Sequence, residues 1–475
     1  MERIVNKMLL SALCEEGDNA IAVYNPADES IVGYVPSLSS KEIYQKIDKS
    51  KVAQKQWQKK TAAERCAVLQ KWYQLVLENS DDLARLMTLE QGKPLVEAKG
   101  EVMYGASFIQ WFAEEGKRSY GETIPTPLSN KRIMTIKQPV GVTAAITPWN
   151  FPIAMITRKA APALAAGCSC IVKPANQTPL SAYAIAELAT QAGLPKNLLV
   201  VVSNHSSVVV GDILCNHEDI KKLSFTGSTE VGRTLIKLTA DTVKRTSMEL
   251  GGNAPFIVFD DADIDAAVTG AVASKFRNAG QTCVCANRFY VHDTVYEQFV
   301  DKFITAVSQL KIGNGLEEGV SVGPLIDKKA KTNVLQLLNK AQKQGAKLRF
   351  GGESLEGGFI QPAILTEVTQ NMSIVSQEVF GPIAPVIRFT DTDDLIEKAN
   401  DTIFGLASYF YTKDLSRAFH VAEALEYGMV GVNEGIISTE VAPFGGVKQS
   451  GFGREGARQG IEEYLSTKYI CLGGM

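Results

Sequence analysis

Apolar residues recur three and four positions apart through SKEIYQKIDKSKVAQKQW and AERCAVLQKWYQLVLENSDDLARLMTLEQG. That period predicts helices across residues 40–117, the second of these runs stopping at Gly92. After Gly121 the texture changes: IMTIKQ (133–138) reads as a strand, and the apolar run VGVTAAITP (140–148) follows. Strand and helix then alternate. A helix over 154–167 ends at Gly167, CSCIVKP (168–174) is a short buried strand, and a helix over 181–193 closes at Gly193. Strands follow at 198–203 and 221–227, the latter entering the helix STEVGRTLIKLTA, and RTSMEL (245–250) ends the run. Such short alternation requires right-handed crossovers and a parallel sheet covered on both faces, an α/β pattern of Rossmann-like type. A second alternating region runs from about Asn253 to Gly428, with amphipathic helices at 295–311 and 331–346 and a strand at 382–389. The tail after Gly451 is short and mixed. No repeat or low-complexity linker interrupts the chain, so its units are expected to interleave.

Composition bounds this picture. At roughly 150 residues per domain, 475 residues make about three units, with a core large enough to need no disulfide or metal staple. The 49 Lys and Arg nearly balance 52 Asp and Glu, so charge makes no case for nucleic acid or an anionic membrane. The eight cysteines are scattered and show neither a disulfide framework nor a zinc module. A reducing, cytoplasmic compartment is the simpler expectation. The apolar run near the N-terminus is broken at Cys14-Glu15-Glu16 and is too short to span a bilayer.

Three stretches can carry chemistry. NAGQTCVCANR (278–288) places Cys283 after a glycine and between polar flanks (Gln281, Thr282, Asn287, Arg288) that argue against deep burial. A catalytic thiol must be reachable and partly ionised, although a lone cysteine is more often a small packed hydrophobe. MELGGNAP (248–255) puts Glu249 at a strand end before two glycines, where parallel sheets present ligands, though a salt-bridged strand-end Glu would look the same. TPWNFP (147–152) holds Asn150 in a proline-stiffened turn, able to donate to a developing oxyanion or simply to satisfy local backbone. FTGSTEVG adds Gly227, Ser228 and Gly232 at a strand-to-helix turn, which can receive a phosphate or be ordinary capping. His205, His217, His292 and His420 sit in no matching motif, so a Ser-His or Cys-His pair has no support.

Together and in this order these stretches, with EVFGP (378–382) and PFGGVKQSGFGREG (443–456), resemble the aldehyde dehydrogenase superfamily over nearly the whole chain. The resemblance implies a Rossmann-like cofactor domain (1–120 and 140–250), an α/β catalytic domain (251–442) and a small β bridging and oligomerisation element (121–139 and 443–475). It implies that Cys283 attacks the aldehyde carbon. Asn150 and the Cys283 backbone N–H then hold the oxyanion, hydride leaves to NAD or NADP, and Glu249 activates water to hydrolyse the thioester. Gly227, Ser228 and Gly232 become the pyrophosphate site. Lys173, with Pro174, Ala175 and Asn176 of KPANQTP, becomes the adenosine-ribose segment. Glu378 becomes the nicotinamide-ribose ligand, with Trp149, Asn150 and Leu250 lining the channel. Asn176 stands where many NAD-preferring relatives carry Glu. Its amide removes a charge that would repel a 2′-phosphate, so use of NADP is expected.

Within that superfamily, GQTCVCANR, NEGIISTEVAPFGG (433–446) and the closing EEYLSTKYICLGG resemble succinate-semialdehyde dehydrogenases. Oxidases of 2-oxoglutarate or glutarate semialdehyde are the alternative within the class. A non-catalytic, crystallin-like protein and a phosphate- or CoA-dependent acylating enzyme are alternatives outside it, each opposed by Glu249 beside Cys283 and Asn150. The resemblance further implies that Arg158, Arg277 and Ser438 clamp the substrate's distal carboxylate, a task suited to the planar fork of Arg. Either arginine alone would read as structural, one anchoring a helix and one a strand-to-loop turn; the two together near the thiol favour the clamp. Cys285 is a candidate for a regulatory disulfide with Cys283, or a packed side chain. A homodimer or homotetramer is expected, with no metal.

Overall fold

The computed structural model describes residues 4–474. Residues 1–3 and 475, which the expected first and last segments include, lie outside the described residues. Two parallel sheets organise the chain. One has six strands in the order Gly451–Phe452, Arg245–Glu249, Ile220–Thr226, Val142–Ile146, Ser169–Lys173, Leu199–Val201. Its pairs are parallel except the short antiparallel edge that joins Gly451 to Glu249. From the strand Val142–Ile146 the chain first builds outward to one side, then returns to the other. A topological switch point therefore lies between Val142–Ile146 and Ile220–Thr226, and ligands of such sheets bind beyond the carboxyl ends there. Those ends lead into Thr147–Asn150 and Gly227–Ser228.

The second sheet has seven strands in the order Lys347–Phe350, Ala363–Thr366, Ile383–Phe389, Ala286–His292, Ala254–Val258, Ala407–Tyr411, Met429–Val432. Only its first strand runs antiparallel to its neighbour. Fully buried runs such as Ala254–Val258 carry no alternation because helices cover both faces. A three-stranded antiparallel sheet completes the set. In it Leu465–Gly473 pairs with Lys131–Pro139 along its whole length, so the mixed tail, which also holds the helix Ala457–Glu462, ends in one long strand.

The helices from Ser40 to Glu115 pack against the six-stranded sheet's side of the molecule, in one core with the helix Ala154–Ala166. The periodicity of residues 63–92 suggests a single helix, but the chain breaks at Asn79, between Ala62–Glu78 and Ser80–Gln91. Asn79 takes a non-helical conformation there, with φ −103° and ψ 15°. The apolar period runs on across the break, so spacing alone did not reveal it. The predicted stop at Gly92 is a left-handed C-cap, φ 91°. The hairpin Ala20–Tyr24 with Ile31–Pro36 was not predicted, since its strands are short and half-exposed.

Candidate active site

The turn after the strand Val142–Ile146 is held from a distance. Glu101, on the helix Leu95–Glu115, accepts the N–H groups of Ile153 (2.9 Å) and Ala154 (3.2 Å) and so caps the helix Ala154–Ala166. Its other oxygen pairs with Lys93 at 2.5 Å, and Lys93 also donates to the Asn150 carbonyl at 2.7 Å. Asn278 donates to the same carbonyl at 3.0 Å. The Asn150 side-chain amide donates to the Gln281 carbonyl at 3.0 Å. One amide hydrogen of Asn150 thus remains available beside the Cys283 segment.

That segment is tightly bent. Asn278, Ala279 and Gly280 all take positive φ (52°, 54° and 76°). Gly280 has no alternative, because a Cβ there would stand 2.3 Å from the Gly381 carbonyl oxygen. Gly252 is constrained in the same way, its missing Cβ leaving room for the Cys283 carbonyl. The polar flanks do not mark a shallow position: Gln281, Thr282, Asn287 and Arg288 are all buried. They serve as internal scaffolding. The Gln281 amide bridges to the Asn278 carbonyl and the Ile326 N–H, and Arg288 donates to the carbonyls of Asn253 and Ala399. Cys283 itself keeps partial access between them.

Electrostatics set the resting protonation. Burial pushes the Cys283 thiol up to about 11; Arg158 and Arg277 pull it down while Glu378 and Glu249 push it up. Glu249 ends the strand Arg245–Glu249, is 2% exposed, and neither of its carboxylate oxygens has a hydrogen-bond partner. Burial and then the neighbouring Glu455 raise it well above the usual carboxylate range, against the pull of Arg158 and Lys159. Glu455 goes the other way: burial opposes its charge, but ion pairs with Arg158 and Lys159 hold it below the usual range. The two neighbouring carboxyls are thus shifted in opposite directions.

A cavity of about 200 Å³ is lined by Trp149, Asn150, Thr226, Gly227, Cys283 and Glu378, at the switch point of the six-stranded sheet. Trp149 stands edge-on to Phe380, 5.6 Å between centroids. Glu378 accepts the Gly252 N–H at 3.1 Å and is raised to about 7 by burial, against that bond and Lys275. Ser228 caps the helix Thr229–Thr239, and Gly232 on that helix lets Leu250 pack where a Cβ would clash at 2.4 Å. Lys173 ends the strand Ser169–Lys173, donates to the Ser207 hydroxyl at 2.8 Å and is lowered to about 8 by burial. Pro174 and Ala175 lead from it into the loop that holds Asn176. The Asn176 amide nitrogen donates to the carbonyls of Asn204 (3.0 Å) and His205 (3.3 Å), leaving its buried oxygen without a partner. A dinucleotide fits this set: a helix N-terminus bared at a switch point, and an orphaned polar atom beside a lysine.

A second cavity, about 240 Å³, shares the Asn150–Phe151 turn and is lined by Glu97, Tyr104, Phe151, Arg277 and Ser438 among others. It brings Arg277 and Ser438 together. Arg158 lies outside that lining; it is ion-paired with Glu455 and sits over the Phe444 ring at 4.5 Å. Cys285 is buried, its sulfur 3.5 Å from the Lys275 carbonyl, and is a free thiol. A larger groove, about 530 Å³, lies between hairpin residues such as Tyr24 and the 325–329 segment. It touches Asn176 but none of the groups around Cys283.

Sequence reasoning missed the residues that hold this site in place. Lys93, Glu101 and Asn278 act on Asn150 through contacts distant along the chain; the local sequence of Lys93 and Glu101 carries no motif, while Asn278 opens the quoted NAGQTCVCANR. Glu455 was within reach, since it lies inside the quoted PFGGVKQSGFGREG, and Lys159 neighbours Arg158. Among the described residues one group of metal-ligating side chains forms, Asp48, His217 and Asp219. It is remote from the thiol in the fold and already engaged, with Asp219 bound to Lys51 at 2.6 Å and the His217 ring accepting the Asp219 N–H at 3.1 Å.

A partly accessible thiol, a buried partnerless carboxyl and a crevice at a switch point together mark an oxidoreductase site. Comparison with known proteins agrees. The aldehyde dehydrogenase family profile matches residues 14–470, and the chain belongs to that family. It is 59% identical to the succinate-semialdehyde dehydrogenase [NADP(+)] of Escherichia coli (strain K12), over 96% of this chain and 94% of that one. It is 57% identical to a glutarate-semialdehyde dehydrogenase of Pseudomonas putida, over 96% and 95%. A crystal structure of an aldehyde dehydrogenase from Brucella melitensis superimposes with a TM-score of 0.98 at 57% identity, covering 100% of both chains. No helix among the described residues is long and apolar enough to cross a membrane.

The protonation state of the thiol is directly measurable. In the cofactor-free protein, alkylation of Cys283 by iodoacetamide should accelerate about tenfold per pH unit from roughly pH 7 to 9, following the thiolate fraction. A rate already flat across that range would show that the arginines hold a thiolate at neutral pH.

Proposed function

We propose that this protein oxidises a short semialdehyde acid, succinate semialdehyde or its one-carbon-longer homologue, to the dicarboxylate through a thioester on Cys283. The observation that carries the reading is the meeting of Arg277 and Ser438 in one cavity off the Asn150–Phe151 turn, the turn that also lines the cavity of Cys283; a cationic end there would suit a substrate's distal carboxylate. The split of close relatives between succinate- and glutarate-semialdehyde dehydrogenases supports the class and leaves the chain length to experiment.

In this reading the Cys283 sulfur attacks the aldehyde carbon, and the spare Asn150 amide hydrogen donates to the oxygen as it becomes an oxyanion. An oxyanion donor of this kind is worth about 3 kcal/mol. Gly227, Ser228, Lys173, Asn176 and Glu378 hold the dinucleotide, with Pro174 and Ala175 shaping the ribose loop and Trp149, Leu250 and Gly232 shaping the channel. The bound nicotinamide supplies the hydride acceptor that leaves the acyl group on sulfur as a thioester. Glu249 then takes a proton from water as the water attacks the thioester. Its lack of a fixed partner leaves it free to meet that water, and its raised proton affinity suits a base that must work near neutrality.

Three measurements test these roles. Glu249→Gln should release about one reduced cofactor per site in a burst and then stall, because acylation does not need the base; steady turnover near the wild-type rate would rule Glu249 out. Asn176→Glu should shift preference from NADP towards NAD by about tenfold, since the carboxylate restores repulsion of a 2′-phosphate. If NADP supports no activity in the parent protein, the reading of Asn176 fails. Finally, kcat/KM for succinate semialdehyde should exceed that for butanal by a factor worth about 2–4 kcal/mol, and Arg277→Ala should erase most of the difference while sparing butanal. Equal efficiency on both aldehydes would remove the carboxylate clamp.

A further inference from the structure

The substrate-side cavity holds more free donors than the arginine and serine already named. Tyr104 projects into it from the helix Leu95–Glu115, its ring packed edge-on against Phe108 at 4.9 Å. Its hydroxyl is buried and donates to no acceptor, its oxygen lying against the Arg158 guanidinium; in the same cavity the Nε of Arg277 is also buried and partnerless. Orphaned buried polar atoms are rare, and each calls for an explanation. Two of them facing one cavity mark a place where an acceptor belongs.

The other polar groups of the cavity cannot be that acceptor. Both oxygens of Glu101 are taken, one by Lys93 and the other by the Ile153 and Ala154 N–H groups. Glu97 accepts the Asn278 N–H at 2.8 Å, and burial raises its proton affinity, which weakens its repulsion of an incoming anion. Lys93 is spent on Glu101 and the Asn150 carbonyl. Tyr104 also lies within electrostatic reach of Arg158, Arg277 and Cys283, and burial keeps its phenol protonated and therefore a donor.

We infer that Tyr104 is a substrate ligand, its hydroxyl donating to the distal carboxylate of the semialdehyde alongside Arg277 and Ser438. The inference rests on the semialdehyde-acid reading above and adds to it a neutral donor. One carboxylate oxygen goes to the Arg277 guanidinium and the other to the Tyr104 O–H, so the pocket reads a planar, two-oxygen anion rather than a point charge. An uncharged aldehyde of the same length offers this hydroxyl nothing.

Tyr104→Phe tests it, because the ring and its packing on Phe108 stay while only the hydroxyl goes. KM for succinate semialdehyde should rise about tenfold with kcat little changed, as for loss of one hydrogen bond to a charged group. Inhibition by the dicarboxylate product should weaken by a similar factor, and kcat/KM for butanal should hold. A structural role would instead depress both aldehydes alike, and that result overturns the inference. So does an unchanged KM for the semialdehyde in a parent enzyme that strongly prefers it over butanal. If the parent shows no such preference, the semialdehyde-acid reading fails first and takes this one with it. A melting temperature matching the parent's accompanies the kinetics, and Tyr104→Leu, which removes ring and hydroxyl together, must show at least the same selective loss.

Discussion

The arrangement depends on the buried pair of Lys93 and Glu101. Each does two jobs: Glu101 caps the helix Ala154–Ala166, and Lys93 pins the Asn150 carbonyl. A buried ion pair adds little to net stability, because desolvating two charges consumes most of their attraction. Its value here is directional. The turn that carries Asn150 ends one parallel sheet, and the loop that carries Cys283 begins a strand of the other. Lys93 and Asn278 meet on one carbonyl between them, and the Asn150 amide reaches across to Gln281. Removing either member of the pair would strand a charge in the interior, at a cost of about 3–5 kcal/mol, and would release the oxyanion donor at the same time.

Around that fixed turn the charges are unequal by design of their neighbours. Glu455 collects Arg158 and Lys159, which favour its charge; Glu249 receives no hydrogen bond, and burial disfavours its charge. Desolvation likewise pushes the Cys283 thiol up, to about 11. Ionising either group therefore waits on a change in the site's surroundings, such as bound ligands that exclude water and bring new dipoles. A thiol muted in this way at rest is protected from chance electrophiles.

The parallel-sheet architecture was legible because it is written in local period: alternating short apolar runs, with Gly92 and Gly167 as helix stops, can be counted along the chain. Cys283, Glu249 and Asn150 stood out because small residues and prolines surround them. Their support was not legible. Lys93 meets Asn150, Glu90 caps the helix Pro179–Gln191 and Gln91 meets Asn278, all across long sequence separations and from a single helix end. The polar residues around the thiol were misread in the same way. A polar side chain looks like surface in a sequence, yet Arg288 is wholly buried because three backbone carbonyls and two tyrosine hydroxyls surround it.

The distribution of unmet polar atoms carries the reasoning one step further. Thr147, Asn150, Arg158, Glu249, Arg277, Tyr104 and Thr282 all hold buried atoms without partners, and all lie on the segments that converge on Cys283. Each such atom costs about 1–3 kcal/mol when left dry, so a fold selected for stability alone would have satisfied them, as it did at Arg288 and Gln281. Others, such as Trp111 and Ser119, lie elsewhere in the fold, but those on the Cys283 segments are the ones that ligands would reach. On the function proposed above, the missing partners would be an aldehyde oxygen, an attacking water, a distal carboxylate and a dinucleotide, each restoring a hydrogen bond that the protein alone does not make. Binding free energy is thereby directed to the reacting centre, where interactions formed only with ligands in place can be spent on the transition state.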